Sequence, residues 1–403
     1  MSVRNSGMIY SKKRSRLVMF LLVFSVSVLA FGFTIGASKL SAQHGFHSNT
    51  DLSTLIVIHP VLMVFGVIGG LLMAEKLELM LNFKIYKRLN MAFLIVPFTV
   101  GGITLYSLGL SLPLHYMAYA GASLMALTGL LFMWFIVSRR TPGKSDAKVI
   151  MGSALLALAL SALSEAGGKA TESPDIALLL LTFPIIYVLG ERIELGEMKG
   201  IKRIWISFLK VSSIAVPVLL FLGTMISIEW AESLFFNASV LLLALMALLS
   251  GFNDPSMRGS STRNVLQSFM KFGIRSSYAW LFLGLALYLI QYNISRGFMD
   301  VATHSIALGF IGAFIISHSP IIFPLILKIK ADTERVTKLP LYALDVAVAL
   351  RVGGDIMARL IGVGNVLVYS SIWILLLAIL LFAVNIAKIS AATQNKRIVA
   401  GSE

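Results

Sequence analysis

Apolar runs of membrane-spanning length fill almost the whole of this 403-residue chain. A helix needs about 20 mostly apolar residues to cross the roughly 30 Å hydrocarbon core of a bilayer. Twelve runs have that length, at 17–37, 52–74, 90–111, 114–138, 148–165, 174–191, 205–228, 233–251, 272–293, 301–327, 339–360 and 363–387. With 57% apolar residues and a mean hydropathy of +0.87, the chain lies outside the range of soluble globular proteins. The sequence therefore predicts an all-α, polytopic membrane protein with about twelve transmembrane helices.

The basic residues predict the orientation of these helices, because short loops rich in Lys and Arg stay on the cytoplasmic side. The 34 Lys and Arg residues concentrate in alternate loops, and the opposite loops hold Lys39, Lys169, Arg296 and Arg359. We expect both termini to be cytoplasmic, with a basic segment at 1–16, one transmembrane domain at 17–388 and a tail at 389–403. The net charge of +15 then needs no nucleic acid as a partner.

The six histidines are the main candidates for chemistry, because a chain without cysteine has no thiolate metal site and no covalent c-type haem. His59, His115 and His304, from the predicted second, fourth and tenth helices, all fall in the outer third of the membrane. A neutral imidazole is a good axial ligand of haem iron. We therefore predict a haem b with His59 and His304 as ligands and His115 as a further ligand or a hydrogen-bonding neighbour. The competing interpretation is that each is a core histidine bonded to a carbonyl.

His318 follows His304 on the same predicted helix, about four turns and roughly 21 Å deeper. Three interpretations stay open for it. It is the ligand of a second haem, for which Met73 is the candidate partner; it belongs to a proton or substrate path; or it is structural. The polar path would use the other residues predicted near the inner face: Tyr187, Glu191 and Asp345.

The eleventh predicted helix is unusual because it carries several charges. Arg351 and Asp355 are four residues apart and are expected to neutralise each other. Arg351 and Arg359 lie towards the outer half, where they are predicted to bind haem propionates. Asp355 is a further candidate for the polar path. A first outer loop with His44 and His47 offers a zinc or copper site, or is simply solvated.

Two segments that begin with histidine, "HPVLMVFGVIGG" and "HSIALGFIGAF", resemble the NnrS-type family of haem-associated membrane proteins linked to nitric oxide stress. Histidines on the second and tenth of twelve helices also resemble the main subunit of haem–copper oxidases, where those helices supply the low-spin haem ligands. The resemblance implies a haem–copper-oxidase-like bundle with His59 and His304 on the iron. The sixth and seventh predicted helices lack the histidines that bind copper in the oxidases. A standard oxygen-reducing centre is therefore not expected.

These observations predict electron transfer at the outer side of a prokaryotic plasma membrane, through one haem b or two. The protein would act in a respiratory complex or in nitric-oxide-related metabolism, with lipid and other membrane subunits around it. Quinol or an outward-facing cytochrome or copper protein would be its redox partner. Two other classes remain open: a secondary transporter with a proton-coupled site on helices two, ten and eleven, and a cofactor-free membrane anchor.

Overall fold

The computed structural model describes residues 2–43, 53–82, 92–112, 114–138, 146–166, 173–197, 202–226, 228–258, 264–294, 297–327 and 333–400. Within these ranges the regular secondary structure is entirely helical, with no strand. The α-helices are α1 Ser2–Gln43, α2 Ser53–Val61, α3 Gly70–Asn82, α4 Ala92–Ser111, α5 His115–Val137, α6 Ala147–Ala166, α7 Pro174–Glu197, α8 Arg203–Met225, α9 Glu229–Asn253, α10 Pro255–Arg258, α11 Val265–Asn293, α12 Met299–His304, α13 Ala313–Leu327, α14 Leu339–Ile361 and α15 Asn365–Ala400. The π-helices are π1 Leu62–Gly69 and π2 Ser305–Gly312, and Thr333–Arg335 forms a 3₁₀ turn.

Eleven helical segments in the described part of the chain are long and apolar enough to cross a membrane. The predicted run at 339–360 is not one of them, although it forms the 23-residue helix α14. Four charged side chains within that helix account for the difference: Asp345, Arg351, Asp355 and Arg359. The all-α, multi-pass prediction is thus confirmed, with eleven apolar helices and one charged helix where twelve apolar ones were expected.

The chain divides into two compact units. Unit 1 consists of Met1–Glu191 and Ile206–Ser239, and unit 2 consists of Arg192–Trp205 and Val240–Glu403. In unit 1, α4 packs against α5, α5 against α6, and α1 against π1 and α3. In unit 2, α11 packs against π2 and α13, and α14 against α15.

The helix ends in unit 2 have clear causes in the sequence. Asn264 is the N-cap residue of α11, and its side chain accepts a hydrogen bond from the Leu266 amide at 2.9 Å. Pro340 lies in the first turn of α14, where a missing N–H costs nothing. Gly362 ends α14 with a φ of 72°, which a residue without Cβ adopts easily.

The outer surfaces of the helices expose many large apolar side chains. Examples are Trp134, Val211, Leu241 and Trp373, each more than half exposed. A soluble protein rarely shows contiguous apolar surface on this scale, whereas lipid tails cover it readily. The exposed faces therefore indicate lipid as the surrounding medium.

Candidate functional site

His59 lies in the last turn of α2, one residue before Pro60 and three before π1. Its Nδ1 is 3.0 Å from the carbonyl oxygen of Gly32 on α1. Because a carbonyl oxygen only accepts, Nδ1 must carry the ring proton, which leaves the lone pair of the neutral imidazole on Nε2. The ring also lies close to Gly36, where a Cβ would be 3.2 Å from His59 Cε1. Two glycines of α1 thus fix the position and tautomer of this imidazole.

His304 is held in a similar way in unit 2. It is the last residue of α12, directly before π2, and its Nδ1 lies 2.8 Å from the main-chain oxygen of Asp300. The carboxylate of Asp300 is also near, with Oδ1 3.4 Å from the same nitrogen. The proton is therefore on Nδ1 and the lone pair on Nε2, as in His59.

Gln291 on α11 fixes the start of the short helix that carries His304. Its buried side-chain oxygen accepts hydrogen bonds from the amides of Gly297, Phe298 and Met299, the first at 2.6 Å and the last at 3.0 Å. The first N–H groups of a helix have no partner within the helix. The Gln291 side chain meets this need and thereby sets the direction of α12.

Arg351 on α14 is the centre of the charged cluster of unit 2. Its guanidinium binds the Asp300 carboxylate, and its Nε lies 3.4 Å from Oδ2 of Asp355, so the predicted contact between Arg351 and Asp355 is confirmed. Arg351 is only 7% exposed, and its Nη1 has no hydrogen-bond partner. Through Asp300, this cation is joined to the His304 imidazole. Arg359 lies one turn beyond Asp355 and packs against the backbone at Gly297.

His115 differs from His59 and His304 in its surroundings. It is the first residue of α5, and its side chain is exposed, as are those of Tyr116 and Tyr119 in the same turn. Its role beside a haem stays a prediction. His44 and His47 lie outside the described residues.

His318 on α13 belongs to a buried ionic network in unit 2. Its Nε2 lies 3.0 Å from Nη1 of Arg192, and its Nδ1 lies 2.9 Å from the carbonyl oxygen of Phe314. Arg192 in turn forms two hydrogen bonds of 2.6 Å to the carboxylate of Asp254. The imidazole also stacks on the Phe314 ring, with 4.1 Å between ring centroids.

The other residues of the predicted polar path have contacts of their own. In unit 1, Glu191 forms an ion pair of 3.0 Å with Lys76, whose Nζ is 5.9 Å from the ring centroid of the buried Tyr187. In unit 2, Asp345 accepts hydrogen bonds from Ser276 and from Nε1 of Trp280. Within its own unit, each acidic residue thus has a hydrogen-bonded partner.

Trp280 links Asp345 to π2. Its backbone oxygen accepts a hydrogen bond of 3.1 Å from Ser305, the first residue of π2. Its ring packs so closely on Gly309 that a Cβ there would lie 2.4 Å from Trp280 Cγ. Gly309, the first glycine of the "GFIGAF" segment, therefore leaves room for the Trp280 indole of α11.

The sequence singled out the histidines, but not the residues that hold them. The sequence did not predict four of these residues: Asp300, Gln291, Arg192 and Asp254. An acidic residue one turn before His304 is nevertheless a visible signal for Asp300.

The two main candidate ligands lie in different units: His59 belongs to unit 1 and His304 to unit 2. Each imidazole has an Nδ1 contact within its own unit. Among the described side chains, no three His, Asp or Glu residues converge as a metal-binding group.

The helices and their apolar surfaces define a multi-pass, all-helical membrane protein, in which Arg192 and Arg351 are buried cations paired with Asp254 and Asp300. More particularly, residues 16–389 match the model of a family described as "Domain of unknown function (DUF8744)", so the chain belongs to that family. Curated proteins provide no match to the chain.

Proposed function

We propose that this protein binds haem b, which His59 and His304 would hold through their imidazoles, and transfers electrons in a prokaryotic plasma membrane. The observation that carries the proposal is the π-helix that follows each of these two histidines. The carbonyl contact of each imidazole fits both a core histidine and a metal ligand that coordinates through Nε2. In each, Nδ1 donates to a main-chain carbonyl, at 3.0 Å for His59 and 2.8 Å for His304. Histidines that ligate metal through Nε2 usually donate Nδ1–H in this way, which fixes the ring orientation and makes Nε2 more basic.

The helix geometry next to both histidines supports the same proposal. π1 begins three residues after His59, and π2 begins one residue after His304, each eight residues long. π-helical turns are rare and are found preferentially at functional sites, because the wider turn shifts the side chains around it. Two such segments, each beginning within three residues of a candidate ligand, favour a ligand-binding role over simple packing.

Arg351 supports an anionic ligand near His304. Burying a guanidinium is costly unless its N–H groups are satisfied, and Nη1 of this 7% exposed residue has no hydrogen-bond partner. A haem propionate would meet this need through a charge-assisted hydrogen bond. Arg359 would add a second positive charge on the same helix.

The residues present fit a haem in their chemistry: two neutral imidazoles with Nδ1 anchored, and a buried cation for a carboxylate. Bound haem would supply a one-electron Fe(III)/Fe(II) couple. In the chain itself, Gly32 and Asp300 hold the two imidazole rings, Arg351 would bind a propionate, and apolar helices would exclude water. Quinol or an outward-facing cytochrome or copper protein is the proposed redox partner, in a respiratory complex or in nitric-oxide-related metabolism. This assignment follows the resemblance to NnrS-type proteins and to the main subunit of haem–copper oxidases.

Haem content of purified variants tests the ligand assignment. We expect His59→Gln and His304→Gln each to lose the haem, because glutamine occupies a similar volume and does not ligate the iron. His115→Gln tests the further role predicted for that histidine, and loss of haem there would place His115 at the haem. Tyr119→Phe, at an exposed side chain of the same helix, is the control and is expected to retain the haem. Full haem content in both His59→Gln and His304→Gln would refute the assignment.

A secondary transporter is the second candidate, and the Arg351 cluster is the observation that favours it. A buried arginine between Asp300 and Asp355 is typical of sites that couple protons to transport. A protein that contains no haem, but acidifies proteoliposomes in response to a solute gradient, would support this function. Loss of that response in Asp355→Asn would assign it to the cluster.

A further inference from the structure

His318 is the histidine whose role decides whether a second haem can be bound. If a second haem were bound, His318 would be its ligand, deeper in the membrane than His304, and the two haems would carry electrons across the bilayer. Both of its ring nitrogens, however, have partners in unit 2. Nδ1 lies 2.9 Å from the Phe314 carbonyl oxygen and 3.0 Å from the Ser317 hydroxyl, and Nε2 lies 3.0 Å from Nη1 of Arg192.

The chemistry of these partners fixes the proton. The Phe314 carbonyl only accepts hydrogen bonds, so Nδ1 carries the proton. The Arg192 guanidinium only donates, so the lone pair on Nε2 is directed at Arg192. At His304, by contrast, the main-chain and carboxylate contacts with Asp300 are both made through Nδ1. An iron atom at Nε2 of His318 would have to displace the arginine.

Arg192 is not readily displaced. It is 4% exposed, and it is held by two hydrogen bonds of 2.6 Å to Asp254, which is fully buried, and by a further one to Ser256. Asp254 also accepts a hydrogen bond of 2.8 Å from the Ser256 amide at the start of α10. Loss of the bond to His318 would leave a buried, charged N–H without its acceptor, which is strongly unfavourable.

Met73, the candidate partner of His318 for a deeper haem, is buried among the helices of unit 1. Its side chain is 1% exposed, and its sulfur lies 3.6 Å from the Thr99 hydroxyl, which donates its hydrogen bond to the Ile95 carbonyl oxygen at 2.7 Å. A buried methionine in an apolar helix usually serves packing.

We infer that His318 has a structural role: it accepts a hydrogen bond from Arg192 and so holds this arginine in position beside Asp254. The haem count then follows, and this part rests on the proposed function: the protein binds a single haem, at His59 and His304. Electron transfer stays at that site and does not continue through the bilayer along a haem ladder.

The test compares the wild-type protein with His318→Gln and His318→Ala, by haem-to-protein ratio and by thermal unfolding in detergent. The glutamine carbonyl can accept from Arg192 but does not ligate iron, whereas alanine does neither. We expect one haem per chain in all three proteins. The unfolding midpoint should be close to wild type for His318→Gln and several degrees lower for His318→Ala.

Two haems in the wild type and one in His318→Gln would overturn the inference. Equal unfolding midpoints for the wild type and His318→Ala would overturn the positioning role. A wild-type protein without haem would instead refute the proposed function, while the comparison of midpoints would still decide the role of His318.

Discussion

The carboxylate of Asp300 joins His304 to Arg351. One of its oxygens lies 3.4 Å from Nδ1 of His304, and the other binds the arginine side chain. A histidine, a carboxylate and a buried cation therefore form one chain of contacts in unit 2. The negative charge beside Nδ1 makes the imidazole a stronger donor to a metal, and the arginine determines where that charge is held.

The first prediction concerns the reduction potential of the proposed haem. Asp300→Asn keeps the shape of the side chain but removes the negative charge beside His304. Since a more basic imidazole favours ferric iron, the midpoint potential should rise by roughly 50 mV, close to a tenfold change in a one-electron equilibrium. Redox titration followed by absorbance measures this shift. Asp345→Asn is the control, because Asp345 binds Ser276 and Trp280 instead, and an equal shift in both variants would contradict a role specific to Asp300.

The second prediction concerns the space around His59. A leucine at Gly36 would push the His59 ring from its place, because even a Cβ there lies 3.2 Å from Cε1. We expect Gly36→Leu to lower the haem content to less than half of wild type. Gly101→Leu is the matched control in another apolar helix, where a Cβ meets nothing within 4 Å. Equal haem content in the two variants would show that close packing at Gly36 does not position the ligand.

The third prediction concerns the pair of Arg192 and Asp254. Asp254→Asn leaves a buried guanidinium without its counter-charge, which costs on the order of 3–5 kcal/mol. The unfolding free energy should fall by about that amount, measured by denaturant titration in detergent. Asp146→Asn breaks a pair with Lys210 in which both side chains are partly exposed, Asp146 at 46% and Lys210 at 30%, and should cost about 0–1 kcal/mol. A similar loss in both variants would contradict a buried structural role for Asp254.

The fourth prediction concerns the helix that carries His304. Gln291→Leu removes the oxygen that accepts from three amides at the start of α12, and each buried donor left unsatisfied costs roughly 1–3 kcal/mol. The variant should unfold at a lower temperature and exchange the amide hydrogen of Met299 faster. Gln291→Glu, which retains an acceptor oxygen, should preserve protection of that amide. Asn293→Leu, at an exposed site of α11 two residues after Gln291, should leave the protection of the Met299 amide unchanged.

Much of the fold is visible in the sequence, because a bilayer forces apolar runs of about 20 residues into helices. The contact of Arg351 with Asp355 is equally local, since residues four apart on a helix are neighbours. The partnership of Arg192 with His318 is not local: 126 residues separate them, and only tertiary packing brings them together. The π-helices after His59 and His304 also escape prediction, because apolar residues of one segment fit a four-residue or a five-residue hydrogen-bond spacing equally well.

The charged helix α14 shows how composition can mislead about a span. Its 23-residue length matches that of its neighbours, yet it carries the buried Arg351, which is tolerated there because Asp355 on the same helix and Asp300 of α12 both contact its guanidinium. A charge within a helix of this kind is tolerated when a partner neutralises it. Such a partner becomes known only when the helices that pack together are known.

The most direct test of the central claim is the dithionite-reduced minus oxidised spectrum of the purified protein. A haem b held by His59 and His304 predicts Soret and α-band changes that correspond to one haem per chain. These absorbance changes should be lost in both His59→Gln and His304→Gln and kept in Tyr119→Phe. A purified, folded wild-type protein without Soret or α-band change, after supply of haem during expression, would contradict the haem assignment.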